Sequence, residues 1–217
     1  MSTRKFHQAS PEEKQIYKKN SFANIRNFKR IMDEEKIEFW ITCGLLLGLH
    51  RDGDMIKNDE DDIDINIWKK DFNKFRDVIY RLDEIGFTVG SRRRGFDHNI
   101  SSLALRRNDC QIDVKFMDIK NDKAFILMDM NYDVTEDKRR VPTKPKSYKA
   151  FIFPKEIFEK FGVIRWHHLY LRCPKNIEEY LILRYGEDWR TPKYQFETWT
   201  DWRNPADNPC LDLHFTL

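Results

Sequence analysis

The chain has 217 residues, of which 40% are hydrophobic and 14% aromatic, so it has enough apolar material to bury a core and fold as one domain. Its 39 Lys and Arg residues nearly balance 36 Asp and Glu residues, and this balance gives no reason to expect a nucleic-acid partner. We find no secretory signal and no apolar run long enough to span a bilayer. We therefore expect a single cytoplasmic domain over residues 1–217; the composition does not indicate an oligomeric state.

The four cysteines are far apart in the chain: Cys43, Cys110, Cys173 and Cys210. No two of them form a CxxC pair, which argues against a zinc site. Three of the four lie in or beside apolar segments. This pattern predicts buried free thiols in a reducing compartment.

A helix start is encoded near the amino terminus. Ser10 fits the N-cap, Pro11 fits the first helical position, and Glu13 completes a capping box. Apolar residues then recur at helical spacing: Ile16, Tyr17, Phe22, Ile25, Phe28 and Ile31. The pattern predicts an N-terminal helix over about residues 10–36.

A glycine separates the next two predicted elements. Phe39–Cys43 forms a short strand-like run that ends at Gly44, and the apolar sequence Leu45–Arg51 predicts a short buried helix. Glycine lets the backbone approach a phosphate closely, and the N-terminal amides of a helix favour anions. Gly44 is therefore a candidate phosphate-binding turn, although without nearby acids it would be an ordinary turn residue.

Five carboxylates lie within the six residues Asp59–Asp64, immediately before the apolar, β-branched segment Ile63–Trp68. Asp62 and Asp64 fall at the start of this predicted strand. Side chains two apart on a strand project from the same face, about 6–7 Å apart along it. Two carboxylates held this close favour a cation between them, and Mg²⁺ prefers one or two carboxylates together with substrate phosphates. The pair therefore predicts a metal-dependent phosphate-handling site.

A third acid lies on a later predicted strand. Asp113 is flanked by Ile112 and Val114, and a charged residue in such a core strand is costly unless it is paired or binds metal. Asp113 could complete a metal site or act as a general base on an incoming hydroxyl.

The remaining sequence alternates between predicted helices, strands and loops. An amphipathic helix over residues 71–85 ends at Gly86, and a final helix runs from the cap residue Asn176 to Gly186. The charged, proline-bearing segment 135–149 predicts a loop, and residues 193–217 predict a surface tail. Between these we expect strands at residues 87–90, 100–106, 111–117 and 124–130, and a strand, short helix and strand over 151–166.

The order of glycine turn, D-x-D and later acid resembles that of the nucleotidyltransferase superfold. More specifically, the chain resembles the LicD/fukutin family of phosphotransferases in Trp40–Gly48, Arg51, Gly53, Ile56, Asp61–Asp64 and the closing Arg184–Pro192. The resemblance covers about residues 39–192. It implies an α+β fold, with a nucleotidyltransferase-like mixed sheet packed with helices and a catalytic core over about residues 38–192.

The resemblance also implies an activity and a set of site residues. The activity is transfer of a phospho-alcohol, such as phosphocholine or an alditol phosphate, from a CDP-linked donor to a carbohydrate hydroxyl. Asp62 and Asp64 would hold Mg²⁺ or Mn²⁺, with Asp113 as a further ligand or the base. Glu60, two residues before Asp62, is the candidate extra ligand. The remaining candidates face the donor phosphates: Gly44, Leu45, where the family commonly has a small hydroxyl residue, and Arg51.

Two other functions fit the same sequence pattern. One keeps the fold and transfers a nucleoside monophosphate from an NTP to a protein, small molecule or RNA. The other is a non-catalytic relative that binds a nucleotide or glycan. We expect Asp59 and Asp61, the other acids of the run, to be mostly solvated.

Overall fold

The computed structural model of the protein describes residues 9–94, 100–129, 132–134, 140–142 and 148–192. The helices are α1 Pro11–Glu34, α2 Cys43–Arg51, α3 Phe72–Asp77, α4 Ile79–Glu84 and α5 Ile177–Tyr185. The strands are β1 Phe39–Ile41, β2 Asp62–Trp68, β3 Thr88–Arg94, β4 Ile100–Arg107, β5 Cys110–Lys120, β6 Lys123–Asp129, β7 Tyr132–Val134, β8 Arg140–Pro142, β9 Tyr148–Pro154, β10 Phe161–Trp166 and β11 Leu169–Pro174. Short 3₁₀ turns cover Lys69–Asp71 and Lys155–Phe158.

The start of α1 has the predicted capping box. The Glu13 N–H donates to Ser10 Oγ at 3.2 Å, and the Ser10 N–H donates to Glu13 Oε2 at 2.7 Å. The two orphan amides are thereby satisfied, which fixes where the helix begins. The predicted helix over 10–36 is confirmed to within two residues at its end.

Seven of the described strands form one mixed sheet. The strands of its main part lie in the order β1-β2-β5-β4-β3. Strand β6 pairs with the C-terminal end of β5, and β9 pairs with β6. The β2–β5 pair is parallel, whereas β1, β3, β4, β6 and β9 all join their neighbours in antiparallel fashion. Two hairpins, β7–β8 and β10–β11, stand outside this sheet. The predicted α+β class with a mixed sheet is confirmed.

Helices cover one face of the two central strands. Ile63, Ile65 and Ile67 of β2 lie in register with Ile112, Val114 and Phe116 of β5, and all six are buried. The Phe116 ring packs against Phe75 of α3, which in turn contacts Phe28 of α1. The apolar residues of both strands therefore form the core under α1 and α3.

The opposite face changes character along the strands. At the C-terminal end of β2, Trp68 packs against Trp40, with ring centroids 4.7 Å apart, and against Phe158 and Phe161. Toward the N-terminal ends of β2 and β5, polar residues lie on the same face as Trp68, because side chains alternate along a strand. Aromatic side chains therefore cover the C-terminal end of this face, and its polar N-terminal end lies beside α2.

Three element predictions need correction. The predicted helix 71–85 is divided at Val78, whose φ of −100° and ψ of 0° lie outside the helical range. The predicted loop 135–149 includes strand β8 and the first residues of β9, and the rest of that segment lies outside the described residues. Gly44 lies inside the first turn of α2, because the helix begins at Cys43. The predicted tail 193–217 is outside the described residues.

Cys43, Cys110 and Cys173 are buried free thiols, as predicted, and Cys210 lies outside the described residues. Among the described helices, none is both long and apolar enough to cross a membrane.

Candidate active site

The parallel pairing of β2 and β5 brings the predicted acids onto one face of the sheet. Asp62 is the register partner of Gln111, and Asp64 is the register partner of Asp113. Asp62 and Asp64 alternate with buried isoleucines, so their side chains leave the sheet on the face opposite the core. The alternation of the strands and their register therefore put all three predicted acids in one polar row beside α2.

Asp64 accepts hydrogen bonds through both of its carboxylate oxygens. Its Oδ2 atom accepts a hydrogen bond from the Gly44 N–H at 3.1 Å, and its Oδ1 atom accepts one from Lys115 Nζ. The side chains of Lys115 and Asp64 are only 13% and 14% exposed, so this ion pair is screened little by solvent. Asp64 thus links three elements: β2, β5 and the start of α2.

Lys115 carries its positive charge inside the site. Burial alone would lower the pKa of this ammonium, but the negative charges of Asp64 and Asp113 help to outweigh it, and the pKa is raised well above its usual range. The Nζ atom also lies 3.8 Å from Cys43 Sγ. A permanent cation therefore stands among the groups that the sequence predicted as metal ligands.

The turn from β1 into α2 is sharp, and hydrogen bonds to β2 and α5 hold it. Cys43 has φ of +47°, a left-handed conformation that side-chain-bearing residues rarely adopt. The preceding Thr42 N–H donates to the Asp64 carbonyl at 3.1 Å. The Cys43 N–H donates to the hydroxyl of Tyr180 on α5 at 3.2 Å. These hydrogen bonds hold a strained turn, and the turn places the start of α2 beside the row of acids.

Gly44 is closely surrounded by carboxylates. A Cβ atom at this position would lie 2.8 Å from Asp59 Oδ2 and 3.5 Å from Asp64 Oδ2. Any larger residue would therefore displace Asp59. The same geometry brings Asp59 to the edge of the site, contrary to our expectation that it is mostly solvated.

Gln111 connects Asp113 to the outer strands. Its Nε2 atom donates to Asp113 Oδ1 at 2.6 Å, and its Oε1 atom accepts from Arg106 Nε on β4 at 3.3 Å. This direction of the amide satisfies both partners. Arg106 and Gln111 thus fix the orientation of the Asp113 carboxylate.

The other predicted site residues lie around this row. The Leu45 side chain is buried in the core, so only its main-chain amide can face a phosphate. The Arg51 guanidinium donates to both carboxylate oxygens of its neighbour Asp52, at 2.8 and 2.7 Å. Glu60 lies in the turn before β2, where its carbonyl accepts from Ser21 Oγ of α1 at 2.8 Å. Contacts of these three with a ligand stay predictions.

The donor set can be tested for its fit to a metal. Among the described residues, no three His, Cys, Asp or Glu side chains converge in an arrangement that could hold an ion. Mg²⁺, however, is usually bound by one or two carboxylates and completed by substrate phosphates and water. Asp62 and Asp64 supply two such hard oxygen donors on one strand face, and the helix N-terminus beside them suits the phosphates. The residues therefore fit a site that substrate completes.

Several of these groups were not among the predicted site residues: Asp59, Gln111, Lys115 and Tyr180. Lys115 and Gln111 share the alternation of Asp113 on β5, and this pattern was available in the sequence. Tyr180 reaches the site from a helix 137 residues away in the chain from Cys43, and no local pattern points to that contact.

Comparison with known proteins identifies a family and solved structures to which the chain is similar. The family described as "LicD/FKTN/FKRP, nucleotidyltransferase domain" matches residues 36–176, and no curated protein matches the chain. Among solved structures, the chain is similar to the lincosamide antibiotic adenylyltransferase LnuA bound to lincomycin, at 14% identity and a TM-score of 0.42, covering 70% of this chain and 79% of that one. It is also similar to the antibiotic-resistance factor ANT(2'')-Ia, at 14% identity and a TM-score of 0.37, covering 58% of this chain and 65% of that one.

The family match covers most of the residues that build the site, including all three strand acids and the start of α2. It confirms the resemblance inferred from the sequence motifs and supports a phosphotransferase-like enzymatic role. The chain belongs to the LicD/FKTN/FKRP family, whose nucleotidyltransferase domain it contains over residues 36–176.

Proposed function

We propose that this chain is a divalent-cation-dependent phosphotransferase that moves a phospho-alcohol from a CDP-linked donor to a carbohydrate hydroxyl. One observation carries the proposal: Asp62 and Asp64 share a face of β2, in register with β5 and its Asp113, and the helix start at Gly44 contacts Asp64. Carboxylates for a cation and amides for a phosphate thus lie side by side, as phosphoryl transfer requires.

Asp62 and Asp64 are the proposed holders of Mg²⁺ or Mn²⁺. A bound ion would offset negative charge on the donor phosphates and on the departing CMP. The Oδ1 atom of Asp62 is buried, and Asp64 is 14% exposed, so both carboxylates act where water screens their charges little. Glu60 is the proposed further ligand.

The start of α2 is the proposed cradle for the donor phosphates. The helix dipole and the first main-chain N–H groups favour an anion there, and Gly44 has no side chain to keep a phosphate away. Arg51, at the other end of α2, is held by two hydrogen bonds to Asp52 and is the proposed further contact to a phosphate.

Asp113 is the proposed general base. It takes the proton of the acceptor hydroxyl as that oxygen attacks the phosphorus bearing the alcohol. A new oxygen–phosphorus bond forms, and the bond between the two donor phosphates breaks. CMP leaves with the bonding electron pair. Gln111 holds the Asp113 carboxylate in one orientation through its 2.6 Å hydrogen bond.

The CDP-linked donor and the carbohydrate acceptor follow from the family resemblance and are part of this proposal. The cytoplasmic location remains a prediction from the sequence, in keeping with three buried thiols that are not joined in disulfides.

The proposal is tested by measuring product release with Mg²⁺. CMP release from CDP-choline or CDP-ribitol with a carbohydrate acceptor is expected, and it should be lost in Asp62→Asn and Asp64→Asn proteins. The matched control is Asp118→Asn, which changes an acid of β5 that pairs with Lys69 away from the site. Pyrophosphate release from an NTP without CMP release would indicate nucleotidyl transfer. Binding of CDP and Mg²⁺ in calorimetry without turnover would indicate a non-catalytic relative.

A further inference from the structure

Lys115 lies among the acids of the site, and the proposed chemistry does not use it. It lies on β5 two residues after Asp113, so the two side chains leave the strand on the same face. Its Nζ atom reaches Asp64 Oδ1, while the Gly44 N–H takes Asp64 Oδ2. Both oxygens of Asp64 thus already accept a hydrogen bond from the protein.

This arrangement restricts how many metal ions the site can hold. A two-metal phosphoryl-transfer site places its ions about 3.5–4 Å apart, between carboxylates that face both of them. A carboxylate has about four lone-pair positions, so Asp64 can accept its two present donors and still bind one ion. A second ion on the Asp113 side would have to displace the ammonium of Lys115 from a pocket where it is 13% exposed.

We propose that the Lys115 ammonium occupies the position of a second cation, so that the site takes one divalent ion rather than two. The inference rests on the proposed function, because it concerns the same metal site. Lysine suits this role because its ammonium is a compact point charge on a flexible stem. Its charge also lowers repulsion between Asp64 and Asp113 before any metal binds, so the acidic row can fold without one.

Equilibrium dialysis of the full chain against Mn²⁺ and CDP tests this count, with bound Mn²⁺ measured per protein. We expect one bound Mn²⁺ in the wild-type protein and two in Lys115→Met. Lys115→Arg keeps the positive charge and should bind one. The matched control is Lys69→Met. Lys69 follows the C-terminal end of β2, away from the site, and its Nζ atom lies 3.4 Å from Asp118 Oδ2. This control should also bind one ion.

Thermal unfolding gives a second readout that needs no turnover. Without a cation beside Asp64, Lys115→Met should unfold at a lower temperature in metal-free buffer, and Mn²⁺ should raise its Tm more than that of the wild type. Lys115→Gln serves the same purpose if the methionine variant does not fold.

Two bound Mn²⁺ ions in the wild type, or one in both neutral variants, would overturn the inference. Because the wild-type count needs no variant, a count of two would overturn the inference even if every substitution unfolds the protein. No bound Mn²⁺ in any protein would overturn both this inference and the proposed metal site. Failure of CMP release with one bound ion retained would overturn only the proposed reaction.

Discussion

The main-chain N–H of Gly44 donates to Asp64 Oδ2 at 3.1 Å, which ties the start of helix α2 to the central acid of the site. A helix N-terminus that binds a carboxylate in this way is also placed to bind a phosphate. The donor phosphates and Asp64 would then share the same amide-lined corner. Substitution of Gly44 should therefore affect activity more than folding.

Gly44→Ala is expected to lower kcat by about 100-fold while leaving the unfolding temperature nearly unchanged. The added Cβ would meet Asp59 Oδ2 at 2.8 Å, and this flexible carboxylate can move away into the site. Gly162→Ala on β10 is the matched control, because its Cβ makes only ordinary contacts at 3.6 Å. Steady-state kinetics and thermal unfolding of both variants test the prediction, and equal activities of the two would contradict it.

Gly48→Ala should show the opposite pattern. Its Cβ would lie 2.5 Å from the Asp54 carbonyl oxygen and 2.8 Å from the Ile56 nitrogen, and main-chain atoms cannot move aside cheaply. We expect a loss of about 1–3 kcal/mol in the free energy of unfolding. Chemical denaturation of Gly44→Ala and Gly48→Ala side by side measures this difference, and a larger loss for Gly44→Ala would be inconsistent with the packing around the two glycines.

Tyr180→Phe is expected to destabilise the protein by about 1–3 kcal/mol, because it leaves the buried Cys43 N–H without its acceptor. The left-handed turn at Cys43 loses one of its supports, so activity should fall as well. Tyr170→Phe removes a hydroxyl from a side chain that is 58% exposed, and it should change stability by less than about 0.5 kcal/mol. Urea unfolding of both variants is the measurement, and equal stabilities would remove the proposed role of the Tyr180 hydroxyl.

Gln111→Leu should lower kcat by about tenfold or more with little effect on KM, because it removes the donor that orients Asp113. Gln111→Asn keeps an amide on a shorter side chain and should recover part of the loss. If kcat is unaffected in the leucine variant, Asp113 is not oriented by this contact or is not the base. Thermal unfolding measured in parallel separates orientation from general damage.

The ion pair between Lys18 of α1 and Asp54 predicts a pH dependence of stability. Burial alone would raise the pKa of Asp54, but hydrogen bonds from Lys18 Nζ and the Met55 N–H lower it below the ordinary value of 3.8. The charged form therefore stabilises the fold above pH 3.8, and this contribution is lost as the pH falls through the folded-state pKa.

Asp54→Asn should accordingly cost up to about 1 kcal/mol at neutral pH, since the pair is partly exposed, and nothing at low pH. Asp77→Asn, at a side chain that is 67% exposed, is the control and should be neutral throughout. Free energies of unfolding measured across the acid range would contradict the assignment if the two variants behave alike.

Much of the fold follows from local patterns that the sequence displays openly. Alternation in Asp62–Trp68 identifies β2 and its two faces, and the capping residues identify the starts of α1 and α5. The position of Asp113 beside Asp64 depends on the register between β2 and β5, which are neighbours in the sheet but are separated in the chain by elements that include β3 and β4. The chemistry of Asp113 made it a candidate, but only the pairing of β2 with β5 places it beside Asp64.

The parts that sequence reasoning missed depend on contacts between distant segments. Tyr180 meets Cys43 across two helices, and Asp59 turns toward Gly44 because of the course of the preceding loop. The charge of Lys115 was visible, but its burial against Asp64 follows from the pairing of β2 with β5. The sequence shows which chemical group each residue carries, whereas the contacts between these groups depend on the folded sheet and the helices packed on it.

The central claim is that Asp62 and Asp64 hold the cation against the donor phosphates. A crystal structure of the chain with CDP and Mn²⁺, with the metal located by its anomalous scattering, tests it. We expect one Mn²⁺ bound by Asp62 and Asp64, with the CDP phosphates beside the main-chain amides at Gly44. A metal bound elsewhere, or CDP phosphates held away from the start of α2, would contradict it.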